Sequence, residues 1–208
     1  MEFQPLKYIF HPASDENANT LLLLHGTGGD ETDLIPLADK FGKGINTLSL
    51  RGNVSEHGMP RFFKRLGMGI FDEEDLRFRT EEMVQFLIEI SATEGFDPGK
   101  IIALGYSNGA NIAGAALINY PDFLSGAILL RPMQPFKALP SFESIRKTPV
   151  FMSSGKFDPT VNPSDTHSYV NDLKLAGFTV EHVNLNTSHN LTQEDISLAV
   201  EWYAKNYK

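Results

Sequence analysis

Short apolar runs alternate with longer amphipathic ones along most of this chain, and that alternation limits the folds open to it. "TLLLLHG" (20–26), "INTLSL" (45–50), "KIIALG" (100–105), "GAILL" (126–130), "PVFMSSG" (149–155) and "TVEHVNL" (179–185) read as strands. Helical patterns lie between them. A short one is "DLIPLADKFG"; a long one covers residues 73–92, with Leu76, Met83, Phe86, Leu87 and Ile90 on one face. A small-residue helix runs from Ser107 to Tyr120, and two more lie near 164–176 and 192–206. Strands that alternate with helices of this length indicate β-α-β units, hence a mostly parallel sheet covered on both faces. No repeat, low-complexity tract or linker interrupts the 208 residues. The expectation is one doubly wound α/β domain over 1–208. In such sheets ligands sit beyond the carboxyl ends of the strands, which makes the loops after strands the places to search.

Charge and composition remove several functions. Lys and Arg number 18 against 26 Asp and Glu, a formal net charge of −8. Nucleic acid is disfavoured as a partner, because phosphate binding needs an excess of basic residues. An anionic membrane surface is disfavoured for the same reason. The chain has no cysteine, which excludes disulfides, a thiol nucleophile and a Cys-ligated zinc. Neither a signal-peptide-like run in "MEFQPLKYIFHPASDENAN" nor a stretch of membrane-spanning length is present, so a cytoplasmic location is expected. The glycine loop "GTGGDE" lacks the Lys-Ser/Thr of a P-loop. It also fails the dinucleotide pattern, since Glu31 stands three after Gly28. No cofactor or metal is implied.

The stretch "LGYSNGAN" (104–111) places Ser107 directly after one strand and directly before a helix. Alone, a serine between two glycines is as well explained as a helix cap in a Gly-rich loop. The strand–turn–helix context is the one a nucleophile elbow requires, with Gly105 and Gly109 allowing a turn too tight for side chains. Small residues from Ala110 to Ala116 let the helix lie close on the sheet, and its N-terminus brings backbone N–H groups beside the serine.

An acyl-transfer serine needs a base and an acid that orients it. On this architecture they follow in the order Ser, Asp or Glu, His, each on a loop after a later strand. "RPMQPFKALP", after the fourth of these strands, offers no carboxylate; "KFDPTVNP", after the fifth, offers Asp158. His11, His25 and His57 precede the serine, His167 falls in a helical pattern and His182 within a strand. His189, in "NTSHNLT", is the candidate that remains. Ser107, Asp158 and His189 are the expected triad. The oxyanion hole is expected from two main-chain N–H groups, that of Asn108 and that of Thr27 after the first strand. Because these donors are main-chain, the side chains of Thr27 and Asn108 are not required for the role. His25 is read as structural.

Two readings stay open for "GMPRFFKRLGMGIF" (58–71). One is a surface helix whose Phe62 and Phe63 pack on the core. The other is an apolar substrate wall of Met59, Phe62 and Phe63, joined by Met133 from "LRPMQP". The segment between the sixth strand and its helix is short, so no large lid is encoded there.

"LLLLHGTGGDE", "GYSNGANIAG", "SSGKFDP" and the "SH" before the last helix together resemble the phospholipase/carboxylesterase family of α/β-hydrolases. That family includes the acyl-protein thioesterases. The stretch "RGNVSEHGMPRFFKR…GIFDEEDL" (51–76) is similar to a bacterial carboxylesterase branch that includes hydroquinone- and catechol-resistance hydrolases. The resemblance extends from about residue 20 to 206. It implies an α/β-hydrolase fold and a cofactor-free serine hydrolase of small to medium carboxylic esters, its triad carried by Ser107, Asp158 and His189. The acyl-protein thioesterases usually have glutamine after the nucleophile; here Asn108 stands there, which favours small esters over long-chain thioesters. Thioesterase or lysophospholipase activity is the alternative within the family. A non-catalytic binder of small aromatics on the same fold is the alternative outside it. A small-molecule ester is the expected partner, and a homodimer is compatible with the sequence.

Overall fold

The computed structural model describes residues 2–208. In chain order the elements are β1 (Lys7–His11), β2 (Thr20–Leu24), α1 (Ile35–Ala38), β3 (Asn46–Arg51), β4 (Val54–Glu56) and β5 (Met59–Arg61). They continue with β6 (Arg65–Gly67), β7 (Ile70–Phe71), α2 (Glu73–Glu94), β8 (Ile101–Tyr106), α3 (Asn108–Asn119) and β9 (Gly126–Leu130). The last are β10 (Pro149–Gly155), α4 (Pro163–Leu175), β11 (Thr179–Leu185) and α5 (Gln193–Tyr207). Seven strands form one sheet in the order β1-β3-β2-β8-β9-β10-β11, parallel throughout except for β1 against β3. β4–β5 and β6–β7 are separate small antiparallel hairpins.

The continuous apolar runs follow from a sheet buried on both faces. Successive side chains of a strand point to opposite faces. Leu22 and Leu24 of β2, with Ala103 of β8, join the core that includes Met83 of α2, Ile112 of α3 and Tyr169 of α4. Leu21 and Leu23, with Ile102 and Leu104, join the opposite core around Phe41 and Trp202. Helix ends are specified locally. Asp72 caps α2 by accepting from the Asp75 N–H, three acidic residues fill its first turn, and Gly95 closes it with a left-handed φ of 77°. Thr192 and Asp195 form a reciprocal capping box at α5. No helix among the described residues is long and apolar enough to cross a membrane.

Residues 58–71 form no helix. Pro60 opposes a helix, and the positive-φ residues His57, Gly58 and Gly69 favour two tight hairpins instead, which stand over the carboxyl edge of the sheet.

Candidate active site

β8 ends at Tyr106, α3 begins at Asn108, and Ser107 bridges them with φ 50° and ψ −108°. A non-glycine residue held this way costs about 1–3 kcal/mol and persists only where the surroundings fix it. Here the Ser107 N–H donates to the Leu130 carbonyl at the end of β9 (2.9 Å), and its carbonyl accepts from Asn111 in the first turn of α3 (2.9 Å). The flanking glycines are required by contact. A Cβ at Gly105 would lie 2.6 Å from the Ala110 nitrogen, and one at Gly109 would lie 2.7 Å from the His25 carbonyl oxygen.

Asp158 follows β10 and His189 lies between β11 and α5, and the fold brings both to Ser107. His189 Nε2 is 2.9 Å from Ser107 Oγ, and His189 Nδ1 is 2.7 Å from Asp158 Oδ2. The Asp158 side chain is 1% exposed and that of His189 28%. Burial would raise the Asp158 carboxyl, but hydrogen bonds from Thr160 and His189 outweigh it and hold the group below the usual carboxylate range. Thr160 donates both its N–H (2.9 Å) and its hydroxyl (2.6 Å) to Asp158 Oδ1. With that carboxylate fixing the Nδ1–H tautomer, Nε2 is free to accept the Ser107 proton.

The histidine loop is fastened from β9. Arg131, itself at φ 57°, donates through Nε to the Ser188 carbonyl (3.1 Å) and through Nη2 to the Asn190 carbonyl (3.2 Å), on either side of His189. Its guanidinium is paired with Asp195 at 2.7 and 2.8 Å, both side chains being fully buried. Burial would raise the Asp195 carboxyl, but hydrogen bonds from Arg131, Ser153 and Thr192 lower it overall.

In the loop after β2, where an oxyanion donor is expected, the Thr27 N–H has no acceptor among the described residues, while the next N–H, of Gly28, donates to the Pro60 carbonyl (2.9 Å). Asn108 opens α3, where helical N–H groups lack intrahelical partners. Thr27 Oγ1 accepts from Arg61 Nη1 (2.6 Å), and Asn108 Oδ1 accepts from the Phe62 N–H (2.7 Å). His25 is buried and braces the Thr27 loop: Nδ1 lies 2.6 Å from the Gly26 carbonyl, and Nε2 accepts from the Gly52 N–H at 3.1 Å. Burial lowers its pKa, in keeping with the neutral ring that this pairing demands.

Ser107 opens into a cleft of about 380 Å³ lined on its apolar side by Met59, Met68, Phe71 and Met133. Gly69, Phe71 and Met133 also border a second hollow of about 400 Å³, reaching Phe136 and Val161. Phe62 and Phe63 do not line the cleft, contrary to the substrate-wall reading. They are 2% and 0% exposed and belong to the core, Phe62 packed at a tilt against His25 (4.7 Å between ring centres) and Phe63 edge-on to Phe71 (5.0 Å). The hairpin explains the division: Met59 lies at its tip, while after Arg61 the chain turns inward beneath the Thr27 loop.

Comparison with known proteins gives this geometry its context. The profile of the Phospholipase/Carboxylesterase family matches residues 7–206. The chain belongs to that family. A Bacillus subtilis (strain 168) protein named as a hydrolase, MhqD, is 42% identical over 198 residues, covering 95% of this chain and 98% of its own. The crystal structure of the Bacillus cereus carboxylesterase superposes with a TM-score of 0.94 at 43% identity, over 97% of this chain and 95% of that one. YahD, solved with malic acid, matches at TM-score 0.90 and 30% identity, covering 97% and 99%. The protein is a carboxylesterase-type hydrolase with the α/β-hydrolase fold. The resemblance drawn from the quoted motifs therefore held at the level of family and fold. Arg131 and Thr160 were not singled out from sequence. The only trace of Arg131 was a charged residue directly after the apolar run "GAILL".

Proposed function

We propose that this family member is a serine esterase of small to medium carboxylic esters. Ser107 Oγ attacks the ester carbonyl carbon while His189 Nε2 takes its proton. The carbonyl π electrons move onto oxygen, where the Thr27 and Asn108 N–H groups hold the oxyanion. Collapse expels the alcohol, protonated by His189, and leaves an acyl-Ser107 ester. Water, deprotonated by His189, then releases the acid and restores Ser107. Asp158 keeps the imidazole in its tautomer and stabilises the imidazolium without taking the proton.

The observation that carries this reading is the unbroken Asp158–His189–Ser107 chain at 2.7 and 2.9 Å, ending on a serine held at φ 50°. The cleft of about 380 Å³ supports an occupant of modest size, with Met59 and Met133 against its apolar part. The likeness to YahD, solved with malic acid, also supports a small occupant.

Hydrolysis of 4-nitrophenyl butyrate by the wild type and Ser107→Ala tests the reading. The variant should retain its melting temperature while kcat falls by several orders of magnitude, on the order of 10⁶ where a triad serine is lost. A fluorophosphonate probe should label wild type only. Labelling of neither protein would favour a non-catalytic binder, and an undiminished variant rate would remove Ser107 from the chemistry.

A further inference from the structure

A protein with a net charge of −8 carries an active-site cleft lined by three arginines and, among the described residues, no carboxylate. Two of the three are committed elsewhere. Arg131 is neutralised by Asp195 at 2.7 Å. Arg61 has a side chain 4% exposed and directs Nη1 to Thr27 Oγ1. Arg65 is different: its side chain is 23% exposed and reaches the same cleft from β6.

The counter-charge at this wall is incomplete. Arg61 and Arg65 share one carboxylate, Glu56, which lies 3.5 Å from Arg61 Nη1 and 2.9 Å from Arg65 Nε. Only Nε of Arg65 is used in that pair. Nη1 meets the Met68 sulfur at 3.1 Å, a weak acceptor, and neither Nη atom donates to an oxygen among the described residues. Burial and the neighbouring Arg65 charge together push the Arg61 guanidinium down, as expected where two cations share one anion. A guanidinium with free donors beside an apolar wall suits a carboxylate, which it can meet with parallel N–H···O bonds.

We propose that Arg65 is a specificity-determining residue that selects esters carrying a second, free carboxylate, as in a half-ester of a small dicarboxylic acid or an ester of a hydroxy acid. The free carboxylate docks on the Nη atoms of Arg65, Met59 and Met133 contact the intervening carbons, and the ester carbonyl lies at Ser107. Repulsion of anions by the rest of the surface makes this local cation the feature that discriminates, and salt should weaken it.

The kinetic arm rests on the esterase reading above; a binding arm does not. Two matched pairs are compared by kcat/KM: mono-4-nitrophenyl succinate with 4-nitrophenyl butyrate, and 4-acetoxybenzoate with phenyl acetate. The first places the carboxylate on the acyl side and the second on the alcohol side. The expected result is a preference of about tenfold or more for the anionic member of at least one pair, the scale of a hydrogen bond to a charged group. In Arg65→Gln that ratio should fall toward 1, and in Glu56→Gln it should rise, because the competing carboxylate is gone. Raising salt to about 0.5 M should lower the wild-type ratio.

Independently, calorimetric titration with succinate should show binding to the wild type and to Ser107→Ala, and none to Arg65→Gln folded to the same melting temperature. Succinate binding that depends on Arg65 sustains the anion site even if Ser107 proves inert. The proposal is overturned if both wild-type ratios are 1 or below, if Arg65→Gln leaves them unchanged, or if succinate binds equally to that variant.

Discussion

Removing the charge of Asp195 should destabilise the protein more than it slows it, whereas removing Arg131 should do both. The two side chains form a fully buried pair at 2.7 Å, and Arg131 has no other anionic partner among the described residues. Breaking a buried pair from one side typically costs about 3–5 kcal/mol, because the surviving charge is left unpaired. Asp195→Asn keeps an acceptor, and Arg131 retains Ser153 Oγ (2.8 Å) and the Ser188 and Asn190 carbonyls, so the lower end, about 3 kcal/mol, applies. For a chain of this size that corresponds to a fall in Tm of about 6–12 °C. Arg131→Met strands the Asp195 carboxylate and also releases the carbonyls on both sides of His189, so kcat should fall with KM little changed. The double variant Arg131→Met/Asp195→Leu separates the effects. Exchanging a whole buried pair for apolar side chains is often close to neutral in stability. Its Tm should recover most of the loss while kcat stays low, since the guanidinium that holds the Ser188 and Asn190 carbonyls is gone. Calorimetric melting and 4-nitrophenyl butyrate kinetics on the four proteins measure both quantities. A double variant that regains kcat along with Tm, or an Asp195→Asn whose Tm moves by less than about 2 °C, would show that the pair does not act in this way.

Three further outcomes follow from other contacts. Asp158 and Asp195 have folded pKa values held below their unfolded ones, so each adds stability that is present above the unfolded value and lost as pH falls through the folded one. Tm should therefore drop as pH is lowered below about 4, and Thr160→Val, which removes a 2.6 Å hydroxyl donor to Asp158, should flatten that drop. Gly105→Ala forces a Cβ to within 2.6 Å of the backbone nitrogen of Ala110, an overpacking expected to cost about 1–3 kcal/mol and most of the esterase activity; an unaltered Tm would contradict the close approach. Phe62→Ala should lose about 3–5 kcal/mol in denaturant melts, whereas Met133→Ala should leave stability nearly unchanged and alter KM; the reverse pattern would return Phe62 to the substrate wall.

How much could be read beforehand depended on how strongly each segment was constrained. Five of the six parallel strands are buried on both faces and carry continuous apolar runs, while the edge strand β11 shows in the mixed pattern "TVEHVNL"; the ends of all six lie within two residues of where the pattern put them. β1 escaped notice because it is an antiparallel edge strand: "KYIFH" is exposed at both ends and pairs on one side only, with β3. The hairpins escaped because strands of two or three residues have no period to detect. The order of Ser107, Asp158 and His189 was visible because chain order follows from sheet topology, and the fold brings the three within hydrogen-bonding distance. Arg131 and Asp195 were invisible as a pair because 64 residues separate them and each has an ordinary local reading, as a loop cation and as a helix cap.

The proposed oxyanion donors illustrate why a main-chain function still constrains side chains. Only the N–H groups of Thr27 and Asn108 face the substrate oxygen in the proposed mechanism, so from sequence their side chains look dispensable. In the structure those side chains bind the two donor segments to a third. Thr27 Oγ1 accepts from Arg61 and Asn108 Oδ1 accepts from the Phe62 N–H, so residues 61–62 tie the loop after β2 to the start of α3. Arg61 is fastened in turn by Nε to the Phe63 carbonyl (3.2 Å) and by its ion pair with Glu56. The arrangement has a cost, because Asn108 Nδ2 is buried without an acceptor among the described residues. A donor pair for an oxyanion works only if it is aimed before charge develops, since realigning dipoles during the reaction would consume the stabilisation they supply. The aromatic pair that resembled a substrate wall thus sits one layer behind it. In the proposed mechanism Phe62 bears on the chemistry through its backbone N–H to Asn108, and its ring, packed on His25, holds that N–H in place.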